Sequence, residues 1–403
     1  MRPLKKLISG EEALQLILGN VEPMADKEEA DIGEATERIL AEDITSPFDV
    51  PNFDRSAMDG YAVRAEETFG ATAYGPRILS IKGEVFAGED KDFDLGDNEC
   101  VGISTGAKLP ASCDAVVMVE NTEQRIKGVL IYKPVYPFEN VSKRGEDIKA
   151  GDAILKKSEL LNPSKIGAMA ALGIEKAHVF KKPKISIIST GNEVVPLGSP
   201  LAPGKVYDIN TYTVKSVVET NFCTPIIRGI VSDEKAKLKR AIRDGLENDM
   251  VVVSGGSSVG ERDVLIDILG EYTKFHGMRV RPGKPTLFAI VDGKPVLGLP
   301  GYPASCLTNA YLFLAPALRK MAQAPMREEK VIRARMDRRI RSVLGRKEYL
   351  TVRVEDGVAH SVYKQSSAIT SLAHAMGYVV IDETVDLLDK DDEVDVRLFN
   401  WRG

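Results

Sequence analysis

The sequence has few of the residues that build transition-metal or disulfide sites. Its 403 residues include four cysteines and four histidines. Cys100, Cys113, Cys223 and Cys306 form no CxxC pair. That argues against a zinc cluster or a redox dithiol and suits a reducing cytoplasm. His178, His276, His360 and His374 form neither HExxH nor HxH, so a His-ligated metal is not expected. Long apolar runs are also missing. The longest, residues 310–318, contains Pro316 and is far shorter than the roughly 20 residues of a bilayer span, so no membrane segment is expected. The basic start, Met1 to Lys6, is not followed by an apolar region, which argues against a signal peptide. An excess of charge of one sign is missing as well, with 54 Lys and Arg against 59 Asp and Glu. A net −5 offers a nucleic acid no general attraction, so any anion site must be a local cationic pocket.

What remains is an ordinary globular composition, 43% hydrophobic and 28% charged. At roughly 100–200 residues per domain, two to four domains are expected. The clearest strand–helix rhythm lies between residues 184 and 321. Strands are expected at 185–188, 225–231, 250–253, 286–290 and 295–299. Helices are expected after Asn210 and Asp233, each read as a cap, from Asp263, and from Pro303 at a favoured first position. Such alternation implies a mostly parallel sheet with ligands at the carboxyl ends of its strands. Residues 46–140 hold short strands and many turns and read as a β-rich module. Asn162, Pro163 and Gly173 punctuate one helix, and Ser9 to Glu12 is a capping box opening another. From about residue 326 the alternation of apolar and polar residues predicts a small β domain.

The expected strand at 250–253 runs into Ser254-Gly255-Gly256-Ser257-Ser258-Val259-Gly260-Glu261-Arg262-Asp263. A strand that ends in glycines and serines and enters a helix aims N–H groups and hydroxyls at one point, which suits phosphate. The loop lacks the Lys-Ser/Thr of a P-loop and the spacing of a dinucleotide site; a plain strand–helix turn is the other reading. Asp263 either caps the helix or binds Mg²⁺. Arg281-Pro282-Gly283-Lys284-Pro285 is a rigid turn carrying two cations, suited to an oxyanion or, more plainly, to solvent. Gly298 to Ser305 supplies a second helix start with a hydroxyl in its first turn. Glu193, Asp208, Asp233 and Asp263 are placed to gather along one edge of the sheet. There Mg²⁺ would need one or two of them plus phosphate oxygens, and capping or turn formation is the alternative for each. In the β-rich module, Asp54 to Ala62 and Ser104 to Ala107 read as two small functional loops.

Together these segments resemble the molybdopterin molybdenumtransferases, the family that also supplies the C-terminal domain of gephyrin. The matching residues are Asn52 to Ala62, Ser104 to Ala107, Gly145 to Asp147, Ser189 to Glu193, Tyr207 to Asn210, Ser254 to Asp263, Arg281 to Pro285 and Gly298 to Ser305, in the family's order. The resemblance implies a multidomain α/β and β protein. Its parts would be an adenylyltransferase-like α/β domain (1–26 with 179–325), a linking domain (27–45 with 141–178), an inserted β-rich module (46–140) and a C-terminal β-barrel-like domain (326–403). It implies a cytoplasmic homodimer with a shared cleft. The reaction would be insertion of molybdenum from molybdate into adenylylated molybdopterin, releasing AMP with Mg²⁺ assisting. The implied catalytic residues are Asp59, Thr105, Glu193 and Asp263, with Glu193 and Asp263 also on Mg²⁺. Substrate would be held by Ser254, Gly255, Gly256, Ser258, Gly260, Asp208, Asp233, Arg281, Lys284 and Ser305, and from the last domain by Arg346 and Ser367. Tungstate has the same shape and charge as molybdate, so residue types do not choose between them. Gly277 departs from relatives that carry a basic residue there. Two rival readings follow the same residues. One is a molybdopterin adenylyltransferase, which resembles the α/β part alone and is also a candidate partner that delivers the substrate. The other is a gephyrin-like scaffold, which adds an upstream domain and linker.

Overall fold

The computed structural model describes residues 7–255 and 264–399. The chain is a multidomain α/β protein built around three six-stranded sheets.

The central sheet arises from short runs rich in Val and Ile, most nearly continuous in Met250–Ser254, the pattern of strands buried on both faces. Lys184–Thr190 lies between Thr224–Val231 and Met250–Ser254, and Met250–Ser254 continues to Lys294–Leu299; these three pairings are parallel. The far side departs from the expected alternation. Leu287–Val291 and Lys294–Leu299 form an antiparallel hairpin, and Thr273–His276 adds a further antiparallel edge. The reason is local: Asp292 and Gly293 stand at φ +49° and +77°, the two-residue turn that matches the twist of paired strands. Helices Asn210–Glu219 and Lys235–Gly245 cover the sheet. Residues 8–21, including helix Gly10–Gly19, pack Ile8, Ala13, Ile17 and Val21 into the same core as Ile187, Val252 and Leu297. The expected cap at Ser9 is present, its hydroxyl accepting from Glu12 N at 3.0 Å.

Two other expected caps are replaced. Asn210 is the first helical residue, and Asp208 does the capping by accepting from Thr211 N at 3.1 Å. Asp233 makes no cap on Lys235–Gly245; it turns back to the neighbouring strand end. The Pro303 helix starts where expected and runs through residues 303–309, 310–314 and 315–321, with a π-helical middle that admits Pro316.

The sheet of residues 60–131 runs Ala115–Met118, Gly60–Val63, Glu99–Ile103, Arg77–Val85, Gly128–Ile131, Thr122–Arg125, with cores around Val117 and Val101. A smaller unit pairs Lys27–Asp31 with Lys176–Phe180 and Ile44–Thr45 with Ala153–Leu155 over helix Pro163–Ala171, whose Asn162 cap accepts from Lys165 N. The last sheet closes on itself. Val331–Met336, Val358–Ser361, Lys347–Glu355, Gly377–Ile381 and Glu393–Leu398 form a five-stranded barrel. Val280–Arg281 joins it from outside, parallel to Lys347–Glu355.

Candidate functional site

Three parallel strands end side by side, at Thr190, Ser254 and Leu299. Thr190, Gly255 and Gly301 meet there. A Cβ on Gly255, whose φ is +93°, would stand 2.3 Å from the Thr190 carbonyl, so the backbones approach as only glycine allows. Gly301 lies next to Gly255, and its carbonyl accepts from Asn210 Nδ2 at 2.9 Å. The Ser254 hydroxyl is buried at this junction and has no hydrogen-bond partner among the described residues. Such a group asks for a ligand, because an unmade bond in a buried place is costly. Gly256, Ser258, Gly260 and Asp263 of the same loop lie outside the described residues.

Three carboxylates gather along this edge, in three different states. Asp208 is buried and accepts from the Ser189 hydroxyl at 3.2 Å as well as from Thr211 N. Asp233 accepts from Thr190 Oγ1 at 2.7 Å and Asn192 N at 3.3 Å, while Asn192 Oδ1 accepts from Asp233 N. Both therefore hold the scaffold. Glu193 is exposed and has no side-chain partner among the described residues. Its carboxylate lies against Gly191, where a Cβ would come within 2.8 Å of Oε1.

A second cluster forms where the α/β part meets the barrel. Arg281 reaches the buried Glu348 at 3.2 Å, and Glu348 also accepts from Ser342 Oγ at 2.8 Å. Its guanidinium lies 5.8 Å from the centroid of the Tyr363 ring. Much of the Arg281 charge is thus already compensated. Lys284 is half-buried without a side-chain partner among the described residues, which makes it the uncompensated cation of the turn. Ser305 is buried on the helix Pro303–Asn309, and Asn309, four residues on along the same face, donates to Gly283 O at 2.8 Å. The helix start is less open than its sequence suggests, because the Ala304 N–H is taken by the Ser366 carbonyl at 3.0 Å. Ser367, exposed, follows Ser366 in the chain. Arg346 is half-buried next to Lys347, whose N–H donates to Arg279 O. Backbone contacts thus bring the strand of Arg281 against the segment after Arg346, and the helix of Ser305 against the segment before Ser367.

The Asp59 loop belongs to the sheet of residues 60–131. Asp59 Oδ1 accepts from Thr105 N at 2.7 Å. That amide, with the Thr105 hydroxyl, holds the carboxyl below the usual carboxylate range. Gly60 permits the turn, since a Cβ there would strike the Val117 carbonyl. Both Asp59 and Thr105 are exposed, as are Met58, Phe86 and Val119 around them.

The cysteines are free and buried; burial pushes Cys100 and Cys113 up to about 12, so neither is a nucleophile. Among the described residues no three His, Cys, Asp or Glu side chains form a metal cluster. Nor is any described helix long and apolar enough to cross a membrane. Sequence reasoning passed over Glu348, Asn309 and Thr286. Only Asn309 carried a signal, as Thr308-Asn309 set between Leu307 and Ala310 in an apolar helix.

This arrangement has close counterparts. Family models match residues 8–173 (MoeA N-terminal region, domain I and II), 186–320 (probable molybdopterin binding domain) and 333–399 (MoeA C-terminal region, domain IV). A putative molybdopterin biosynthesis protein of Methanocaldococcus jannaschii is 37% identical over 415 residues, covering 99% of this chain and 100% of its own length. The molybdopterin molybdenumtransferase of Haemophilus influenzae is 36% identical over 293 residues, 72% of this chain and 71% of its own. The crystal structure of a molybdopterin biosynthesis moeA protein from Pyrococcus horikoshii matches with a TM-score of 0.86 at 42% identity, covering 99% of this chain and 100% of that one. With the motifs in order and the models spanning nearly all of its length, the chain belongs to the MoeA family of molybdopterin molybdenumtransferases.

Proposed function

We propose that the protein converts adenylylated molybdopterin and molybdate to molybdenum cofactor, AMP and water. The observation that carries this reading is a pair of anion-ready surfaces on one α/β unit. At the strand ends, Ser254 presents an unpaired buried hydroxyl beside Gly255. At the turn, Lys284 has no side-chain partner among the described residues, and the turn is tied through Gly283 to the helix that carries the buried Ser305. The first surface suits the phosphates of the adenylylated pterin, and the rest of its Gly-rich loop would extend it. The second suits a tetrahedral dianion, with Arg281, Arg346 and Ser367 at its rim. Tungstate fits the second surface equally well.

Mg²⁺ fits the free carboxylate at the sheet edge. It needs one or two carboxylates beside phosphate oxygens and water. Glu193 has no side-chain partner among the described residues, whereas Asp208 and Asp233 are already held by Ser189, Thr211, Thr190 and Asn192. Glu193 with Asp263 would hold the ion, which would neutralise charge on the departing AMP. Asp59 remains ionised in the neutral range, and Thr105 orients it. We place these two across a cleft completed by a second copy of the chain; the exposed Met58, Phe86 and Val119 support an interface there. We also place the reaction in the cytoplasm, with the adenylyltransferase of the preceding step as supplier. The domain limits we adopt are 1–26 with 179–325, 27–45 with 141–178, 46–140 and 326–403.

The test is AMP release from adenylylated molybdopterin with and without molybdate. Molybdate-dependent release that leaves molybdenum on the pterin is expected. Adenylylation of molybdopterin by this chain from ATP, without metal insertion, would overturn the reading.

A further inference from the structure

The Arg281–Lys284 turn is held from inside the protein by three polar atoms. Asn309 Nδ2 donates to Gly283 O at 2.8 Å and to Thr286 Oγ1 at 2.6 Å, and Thr286 Oγ1 donates to Gly283 O at 3.0 Å. The two hydrogens of the carboxamide are thereby both used, and the three groups close a ring. Asn309 and Thr286 are fully buried, so this ring does not exchange with water. Gly283 stands at φ +99°, and a Cβ there would lie 2.2–2.5 Å from the Asn309 carboxamide. The turn and the asparagine are thus fitted to each other, with no room for another residue at 283. The Lys284 carbonyl is fixed as well, accepting from Met278 N at 2.9 Å and Thr286 N at 3.0 Å. The Lys284 side chain has no such anchor. Ser305 projects from the same face of the same helix, one turn before Asn309.

We infer that Asn309 is a positioning residue for the oxyanion: it sets the distance between Lys284 and Ser305 by tying Gly283 to the helix that carries both serine and asparagine. This rests on the reading of the turn as the molybdate loop. The chemistry requires a donor at both bonds, so an aspartate of the same shape would turn repulsive toward the Gly283 carbonyl, and an alanine would leave the turn untied.

The experiment compares Asn309→Ala, Thr286→Val and Lys284→Ala in the full chain, with KM for molybdate, KM for adenylylated molybdopterin, kcat and thermal midpoint measured for each. For Asn309→Ala the expected result is a rise of about tenfold in the molybdate KM, with the pterin KM and kcat within about twofold of wild type. Thr286→Val removes one corner of the ring at nearly constant volume; it should show the same split at about threefold, and it carries the test if Asn309→Ala fails to fold. A fall in kcat and thermal midpoint with both KM values unchanged would mean a purely structural role and would overturn the inference. If Lys284→Ala raises the molybdate KM but neither ring variant does, the positioning role alone is wrong. If Lys284→Ala leaves the molybdate KM unchanged, the oxyanion reading of the turn falls, and the inference falls with it.

Discussion

Asp208 and Asp59 are both carboxylates at the ends of strands, yet they are built for opposite purposes. Asp208 is buried, and its Oδ1 is taken by a hydroxyl and a backbone amide. Asp59 is exposed and uses one oxygen on Thr105 N. The first is enclosed and committed to two bonds within the fold; the second opens to solvent with one oxygen unused. The same division separates Asp233 from Glu193, and Arg281, shared with Glu348, from Lys284. At each pair, the residue whose charge or lone pairs are already matched carries architecture, and the unmatched one is the residue we propose for the ligand.

Substitutions can break this comparison. Asp59→Asn keeps the acceptor for Thr105 N and removes only the charge. It should lower kcat by about 10²–10³-fold while leaving the thermal midpoint unchanged, measured by AMP release and calorimetry. Asp208→Ala should do the reverse in character. Losing a helix cap and leaving Ser189 and Thr211 unpaired costs about 2–4 kcal/mol in denaturant unfolding. A loss of activity in Asp208→Ala with unchanged stability would erase the distinction.

Gly283→Ala sharpens the picture at the turn. A positive φ and the clash with Asn309 should cost about 2–3 kcal/mol, part of which returns in an Asn309→Ala background because the clash is gone. Strict additivity of the two would contradict the fitted ring.

The smallest effect is electrostatic. Thr105 stabilises the ionised form of Asp59, so its folded pKa lies below its unfolded value. The stabilisation is complete above the unfolded value and disappears as pH falls through the lowered one. Carboxyl-carbon NMR should therefore find Asp59 titrating below an unfolded peptide containing the same loop. A midpoint equal to the peptide's would mean that the Thr105 bond does not hold in solution.

Much of the frame was legible because it is local. The strands at 184–190, 224–231 and 250–254 follow from β-branched runs, and Asn162 with Pro163 marks its helix plainly. The strands at 287–291 and 294–299 are legible as strands, but their antiparallel pairing does not follow from the strand–helix rhythm; only Asp292-Gly293 carries the turn signal for it. The residues of the anion turn were recognisable, but their state was not. Whether Arg281 is free depends on Glu348, 67 residues away, and the ring at Gly283 depends on Asn309, 26 residues away. Such partners are chosen by tertiary packing and have no spacing to read. The replaced caps have the same origin: Asp233 bonds the adjacent strand end at Thr190 in preference to its own helix.

The central claim is that phosphates and the metal oxyanion bind at two separate places, the Ser254–Gly255 strand end and the Lys284 turn. Anomalous diffraction at the molybdenum edge, from crystals soaked in molybdate and adenylylated molybdopterin, tests it directly. Before transfer, the account predicts a molybdenum peak beside Lys284 and Ser305, with the phosphates at Ser254. A peak at the Ser254–Gly255 junction, with the Lys284 turn empty, would contradict it.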